Sequence, residues 1–515
     1  MSEVKAAATG EKADVGAWLA VAAGTIGSLM ATLDISIVNA SLPQMQGEIG
    51  ASGTEGTWIS TAYLVAEIIM IPLAGWFERL LNLRNFLLSA SALFAVFSTL
   101  CGTASSLNQM IIGRVGQGFT GGAMIPTALT IVSTRLPPSS QPVGIALFGV
   151  TAVLGPVLGP LIGGWLTENI SWHYTFFINV PVSIALIALL LVGLPAEKTH
   201  LRDFLKADWL GILGLVLGLG SLTVVLEEGQ RERWFESTLI ASLSVLSCIG
   251  FVLLIAGQFV SRRPVIDLTI LLQRNFGSVF VMSFVVGGAL YGILYAIPQF
   301  LSQIAGYNAE QSGLVALISG VPTLLMMPLF PLLVRRLDVR LAVGSGLLLY
   351  GISCLMNTNL VPQSSGSDFF WAQVLRGFGQ YFTFIFLNQA ATNSVDRDRA
   401  DSASGLFNAA RNLGGSFSLA LISILQDRRT TLHVDRISET LNANSPRLQE
   451  LVHAFAPKPD QMPSFFAALN RLLQQQATVM TYSDVFFVLG IVMLISIPLV
   501  VFLRPLPKDI DARPA

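Results

Sequence analysis

"RLLNLR" (79–84) returns as "RRLDVR" (335–340), and that return decides the architecture. Both stretches fit R-x-L-[N/D]-[L/V]-R at an offset of 256 residues. Each sits in a short charged loop, after the second long apolar run in one case and after the tenth in the other. A second echo pairs "GRVGQGFTG" (113–121) with "LRGFGQYFT" (375–383), aligning Arg114 with Arg376 at an offset of 262. Two matches at nearly one offset, each at the same place in a set of six runs, mean two six-helix halves. Repeated halves with a site at their midplane interface are the plan of many secondary transporters.

The composition agrees. The chain has 515 residues, 53% of them hydrophobic and only 12% charged, where soluble domains carry about 25% charge. Its mean hydropathy is +0.66. Set against the roughly 20 residues that a span needs, the apolar runs predict an all-α polytopic membrane protein of about fourteen helices. The expected spans are 16–40, 56–77, 85–105, 109–133, 142–166, 175–194, 209–226, 237–258, 276–302, 311–333, 340–360, 368–394, 402–425 and 482–504. This divides the chain into an N-terminal tail (1–14), an N-terminal half (15–194), a linker with two inserted helices (195–275), a C-terminal half (276–505) and a tail (506–515). The C-terminal half includes a long segment, 427–481, with two weakly amphipathic stretches split by "APKPDQMP" (456–463), which predicts a helical hairpin.

An even span count puts both termini on one side. Loops on that side hold Arg79, Arg84, Arg135, Arg262, Arg263, Arg335, Arg336 and Arg340 among others, while the short loops opposite hold only Arg231 and Arg233. That asymmetry predicts cytoplasmic termini. The first apolar run is too long for a signal-peptide core and should stay as a span.

Several function classes drop out. A net charge of −1 offers no footprint for nucleic acid. Gly-Lys never occurs, which removes a standard phosphate-binding loop. Cys101, Cys248 and Cys354 are scattered and odd in number, making neither a disulfide framework nor a metal site. The four histidines fall in loops or at span ends. No nucleophile–base or metal constellation supports an enzyme, and no cofactor is expected.

Four stretches carry a family resemblance: "LDISIVNASLP" (33–43), "GRVGQG" (113–118), "GPVLGPLIGG" (155–164) and "WHYTFFINVP" (172–181). With these, the chain resembles the major facilitator superfamily, specifically its fourteen-helix drug/proton antiporters of the EmrB/QacA type. The resemblance implies a bacterial inner-membrane exporter using the proton as coupling ion. It implies small hydrophobic substrates and docking of segment 427–481 to a periplasmic adaptor (a membrane fusion protein) with an outer-membrane channel; a mere connector is the alternative for that segment. In the second loop, "GWFERLLNLR" (75–84), the family's usual aspartate position holds Arg79 and its second glycine is Asn82. The same fold and motor would equally serve a dedicated exporter of an endogenous metabolite such as a siderophore, and a passive facilitator or channel stands further off.

Candidate working residues are the charges inside spans, because an intramembrane carboxylate costs at least a few kcal/mol and defaults to function. From Val15 to Gly47 the only ionised residue is Asp34. It lies about six residues before the expected end of helix 1, and Arg114 lies about five residues into helix 4 from the same side. The two should share a depth, either as a proton site tuned by an arginine or as a static pair locking two helices. Glu67 sits near the middle of its span with Tyr63 one turn earlier. It is expected to carry a proton, to bind a cationic substrate beside Tyr63, or to be a packed glutamic acid. Arg376 and Arg411 have no clear acid in the C-terminal half, and Arg411 is a candidate substrate contact. Tyr291, Tyr295 and Gln299 share one face of helix 9, as a pocket lining or as ordinary packing. In the motif the resemblance marks as the antiporter signature, Gly155, Gly159, Gly163 and Gly164 permit close helix contact, and Pro156 and Pro160 should bend helix 5.

Overall fold

A computed structural model describes residues 14–197, 199, 204, 207–261, 264–395, 399–440, 448–449 and 462–503. Each expected span has its helix: α1 (Val15–Ile49), α2 (Trp58–Leu81), α3 (Leu83–Gly102), α4 (Leu107–Arg135), α5 (Gln141–Asn169), α6 (Tyr174–Gly193), α7 (Trp209–Glu228), α8 (Thr238–Val260), α9 (Arg274–Gln303), α10 (Glu310–Arg336), α11 (Val339–Leu355), α12 (370–393), α13 (Ala400–Thr440) and α14 (Met462–Ile495). There is no strand among the described residues. By length and apolarity alone, 11 of the helices could cross a membrane. The remaining three are α4, α12 and α13. They carry Arg114, Arg376 and Arg411, all buried, so their polar faces turn inward rather than to lipid.

The repeat has a local cause. Asn82 and Asp338 occupy the same place in the two motifs, and each caps the helix that follows. Asn82 Oδ1 accepts from the Asn85 amide at 2.9 Å to start α3, and Asp338 Oδ1 accepts from the Arg340 amide at 2.8 Å to start α11. Asn82 has φ 60°, a backbone region that favours glycine. With ψ 157° it lies outside the left-handed helical region, in backbone space that a side chain rarely adopts, and the cap and the bond to Glu197 hold it there. Its Nδ2 also donates to the Glu197 carbonyl at 2.8 Å.

In the N-terminal half α1 packs on α4, α5 and α6, and α4 packs on α2 and α3. In the C-terminal half α9 packs on α13 and α14, and α12 on α10 and α11. The halves meet through α5 on α10 and through α2 and α4 on α13. Close approach rests on glycine. A Cβ added at Gly159 would lie 2.9 Å from the Ser36 carbonyl carbon, and one at Gly163 3.0 Å from the Ile37 Cα. α5 stays one helix of 29 residues through Pro156 and Pro160. The inserted pair, α7 and α8, is joined the same way: a Cβ at Gly214 would lie 2.7 Å from the Gly250 carbonyl oxygen.

Two boundaries differ from expectation. α1 runs past residue 40 to Ile49, so Asp34 lies well inside a helix of 35 residues rather than near its end. α13 and α14 overrun their apolar segments, which ended and began at 425 and 482. Asp427, Arg428 and Arg429 stop the apolar run without stopping the helix. Thr430–Thr481 at 3.1 Å and His433–Asp484 at 2.8 Å tie the two extensions together. Most of the stretch expected to form the hairpin tip, 441–447 and 450–461, lies outside the described residues.

Candidate functional site

Asp34 is fully buried, and two helices deliver three donors to it. Arg114 Nη1 of α4 lies 2.5 Å from its Oδ2. Its Oδ1 accepts from Gln117 Nε2 at 3.2 Å and from Asn179 Nδ2, on α6, at 2.7 Å. Gln117 and Asn179 both also donate to Ser98 Oγ on α3, each at 3.0 Å, and Ser98 donates to the Phe176 carbonyl at 2.8 Å. Arg114 Nε donates to the Ile59 carbonyl at 3.0 Å, while its Nη2 has no partner. The charge pair is therefore the centre of a network that draws in five of the six helices of the N-terminal half. In a low-dielectric interior such a pair depends on these extra hydrogen bonds to offset its desolvation.

Tyr63 belongs to this cluster. Its ring lies 4.3 Å from the Arg114 guanidinium carbon, and its hydroxyl donates to the Ala31 carbonyl at 3.1 Å. The cation on its ring is thus Arg114, and the side chain is fully buried beside the Asp34–Arg114 pair. The physical reason is on α4. Gly121 leaves room for the phenol, since a Cβ there would sit 2.6 Å from the Tyr63 hydroxyl.

Glu67 lies one turn on and faces the other half. It is 1% exposed; its Oε2 accepts from Asn412 Nδ2 of α13 at 3.4 Å, and its Oε1 has no partner. Asn412 Oδ1 accepts from Tyr291 of α9 and from Arg411 Nε, both at 3.3 Å. One amide thus gathers an acid of α2, a phenol of α9 and the adjacent arginine where the halves meet. The Arg411 guanidinium lies 5.5 Å from the Phe384 ring centroid. Gly287 brings α9 this close to α13, because a Cβ there would lie 2.8 Å from the Arg411 Cα.

Tyr295 and Gln299 continue the α9 face but join other partners. Tyr295 donates to Gln426 Oε1 at 3.4 Å, and Gln299 Oε1 accepts from Gln303 at 2.9 Å. Arg376, the repeat counterpart of Arg114, is buried with Nη2 donating to Ser319 Oγ at 3.0 Å; its Nε and Nη1 have no partner. In the α5 motif, Gly155 and Gly159 abut Thr32 and Ser36, on either side of Asp34, and Gly163 abuts Ile37. Pro156 and Gly164 are buried and Pro160 is half-buried. Among the described residues no group of His, Cys, Asp and Glu could hold a metal ion.

Sequence reasoning missed Gln117, Asn179, Ser98 and Asn412. Signals existed for three. Gln117 is three residues after Arg114, on the same helical face; Asn179 stands inside "WHYTFFINVP"; Asn412 adjoins Arg411. Ser98 carried none, being one of many span hydroxyls.

Comparison with known proteins places this arrangement among transporters. The sequence profile of the Major Facilitator Superfamily matches residues 24–419. The colistin resistance protein EmrB of Acinetobacter baumannii is 33% identical over 92% of this chain and 91% of its own. The multidrug export protein EmrB of Escherichia coli K12 is 28% identical over 93% of this chain and 94% of its own. Among solved structures, the human organic anion transporter MFSD10 (TETRAN) superposes with a TM-score of 0.55 at 16% identity, covering 93% of this chain and 99% of that one. At that identity the likeness is one of fold.

Proposed function

This chain belongs to the major facilitator superfamily as an EmrB-like, multi-pass membrane transporter, and from that premise we propose that it is a proton-coupled antiporter exporting hydrophobic or amphiphilic toxic compounds. The observation that carries the reading is the contrast between two buried carboxylates. Asp34 is ion-paired and saturated with donors inside one half. Glu67 has one long hydrogen bond, an unpartnered oxygen, and a place between the halves.

Asp34 and Arg114 are the coupling pair in this scheme. A proton arriving at Asp34 neutralises the charge that holds Arg114, so the guanidinium is released toward its carbonyl and aromatic neighbours. The network linking α1, α3, α4 and α6 then rearranges together. Glu67 meets the exported compound or a second proton, with Tyr291, Arg411 and Asn412 on the facing surface. Tyr295 and Gln299 extend that surface along α9. One charge moved through 100 mV supplies about 2.3 kcal/mol, enough for a concentration ratio of a few tens for a neutral compound. No ATP is needed.

The protein sits in the bacterial inner membrane with both termini cytoplasmic. The paired extensions of α13 and α14 then project outward, and the His433–Asp484 contact at their root stiffens them. A rigid projection of this kind suits an adaptor protein and, through it, an outer-membrane channel. The test is substrate-induced proton release from the purified protein across a compound library. Several chemically unrelated compounds should each release protons, and Asp34→Asn should silence all of them. Transport that proceeds unchanged after the proton gradient is collapsed would overturn the coupling.

A further inference from the structure

We propose that the bond between Glu227 and Ser416 is made and broken in each transport cycle, so that inserted helix α7 straps the N-terminal half to the C-terminal half. The proposal rests on the antiporter reading above, taken with the rocking of one repeated half against the other by which such transporters open to each side in turn. α7 runs antiparallel along α2 and is held to it at three levels. At one end the Trp209 and Trp76 rings meet edge-on, with centroids 6.3 Å apart. In the middle Gly220 faces Ile69, close enough that a Cβ would lie 3.0 Å from its Cδ1. At the other end Glu228 Oε1 accepts from Thr61 at 2.6 Å and from Thr57 at 3.5 Å. Arg231 closes that end, 2.5 Å from Glu228 Oε2 and hydrogen-bonded to Thr57. α7 is thereby part of the N-terminal half.

The next residue back points elsewhere, because neighbours on a helix differ by about 100° in direction. Glu227 Oε1 accepts from Ser416 Oγ of α13 at 2.6 Å. Ser416 is one turn beyond Asn412, whose amide reaches Glu67. α13 therefore holds two carboxylates of the N-terminal body at successive turns, about 6 Å apart along its axis. One comes from α2 and one from the inserted helix. Adjacent acids on α7 thus divide the work: Glu228 fixes the helix to its own half, and Glu227 crosses to the other. α7 packs on α13 as well as on α2, but less extensively, and among the described residues one hydrogen bond joins it to α13; when the halves separate at this level, α7 stays on α2 and that bond is the one to open.

Spin labels in the full-length protein test this without any transported compound. Cys248 is replaced by serine, since it is exposed while Cys101 and Cys354 are buried. One pair is Arg233→Cys with Gln44→Cys, and the other Arg233→Cys with Arg428→Cys; all three positions are exposed. The Arg233–Gln44 distance should form one population in every background. The Arg233–Arg428 distance should form two, with a ratio that shifts about fivefold when Ser416→Ala removes the donor. Glu227→Ala should shift it the same way. A single Arg233–Arg428 population, unchanged by Ser416→Ala, would overturn the strap. So would an Arg233–Gln44 distance that changes together with it, since α7 would then not ride with the N-terminal half. Failure of the export reading shows separately, as absence of proton release with every compound.

Discussion

Replacing Asp34 by asparagine is the sharpest perturbation of the coupling pair. The substitution keeps the volume and removes the charge. Three donors converge on this carboxylate: Arg114 Nη1, Gln117 Nε2 and Asn179 Nδ2. An amide can accept from one side only, so its own N–H2 is forced against at least one of them. Arg114, fully buried, is left without a counter-charge. Removing one partner of a buried pair costs about 3–5 kcal/mol. Arg114→Gln should cost a similar amount, because it strands Asp34. The double variant should cost far less than the sum, since the second change removes the stranded charge, giving a coupling of about 3 kcal/mol. Unfolding of the purified protein in detergent, followed for all four members of the cycle, measures it. Proton-driven efflux in everted vesicles should be lost in all three variants, including the double variant that regains stability. Single-variant costs that add to within about 0.5 kcal/mol would refute the reasoning, because the pair would then not act as one unit. Full efflux by the Asp34→Asn protein would refute the coupling assignment.

Glu67→Gln should alter the substrate profile rather than stop the motor, with cationic compounds losing about tenfold more transport than neutral ones, roughly one lost charge-assisted contact; efflux of a matched cation and neutral pair measures this, and equal loss of both would make Glu67 a second proton site. Asn82→Ala should destabilise the protein by about 1 kcal/mol through the lost cap, the Cβ at positive φ being common to both residues, whereas Asn82→Gly, which also relieves that φ, should cost only a few tenths; thermal unfolding of the two variants side by side checks the order. Deleting the tip between α13 and α14, residues 441–461, should abolish whole-cell resistance yet spare proton-driven transport in vesicles, and equal loss in both assays would make the tip a folding element instead.

Much of this molecule was legible from one sequence, for a physical reason. In a helical membrane protein each span must satisfy its own backbone over about 20 residues, so the helix number and order follow from runs of residues, even where α4, α12 and α13 turn polar faces inward. The repeated R-x-L-[N/D]-[L/V]-R marks a helix cap, and a cap is local chemistry that a short motif can display. Asp34 and Arg114 were visible because charge in an apolar run is conspicuous, and a shared depth brought them together on paper as at 2.5 Å in space. Uncharged partners gave no such signal. Ser98, Gln117 and Asn179 become part of the site only through the crossing of α3, α4 and α6. Glu67 was legible as a buried acid, but its facing Asn412 is 345 residues away, and only the packing of α2 on α13 joins them. Tyr63 shows the limit most clearly: helical spacing placed it beside Glu67, and the glycines of α4 let Arg114 take its ring. Glu227 stood at the rim of an apolar run, where an acid needs no explanation, and became a contact between the halves because α7 folds back along α2 and lays that rim against α13.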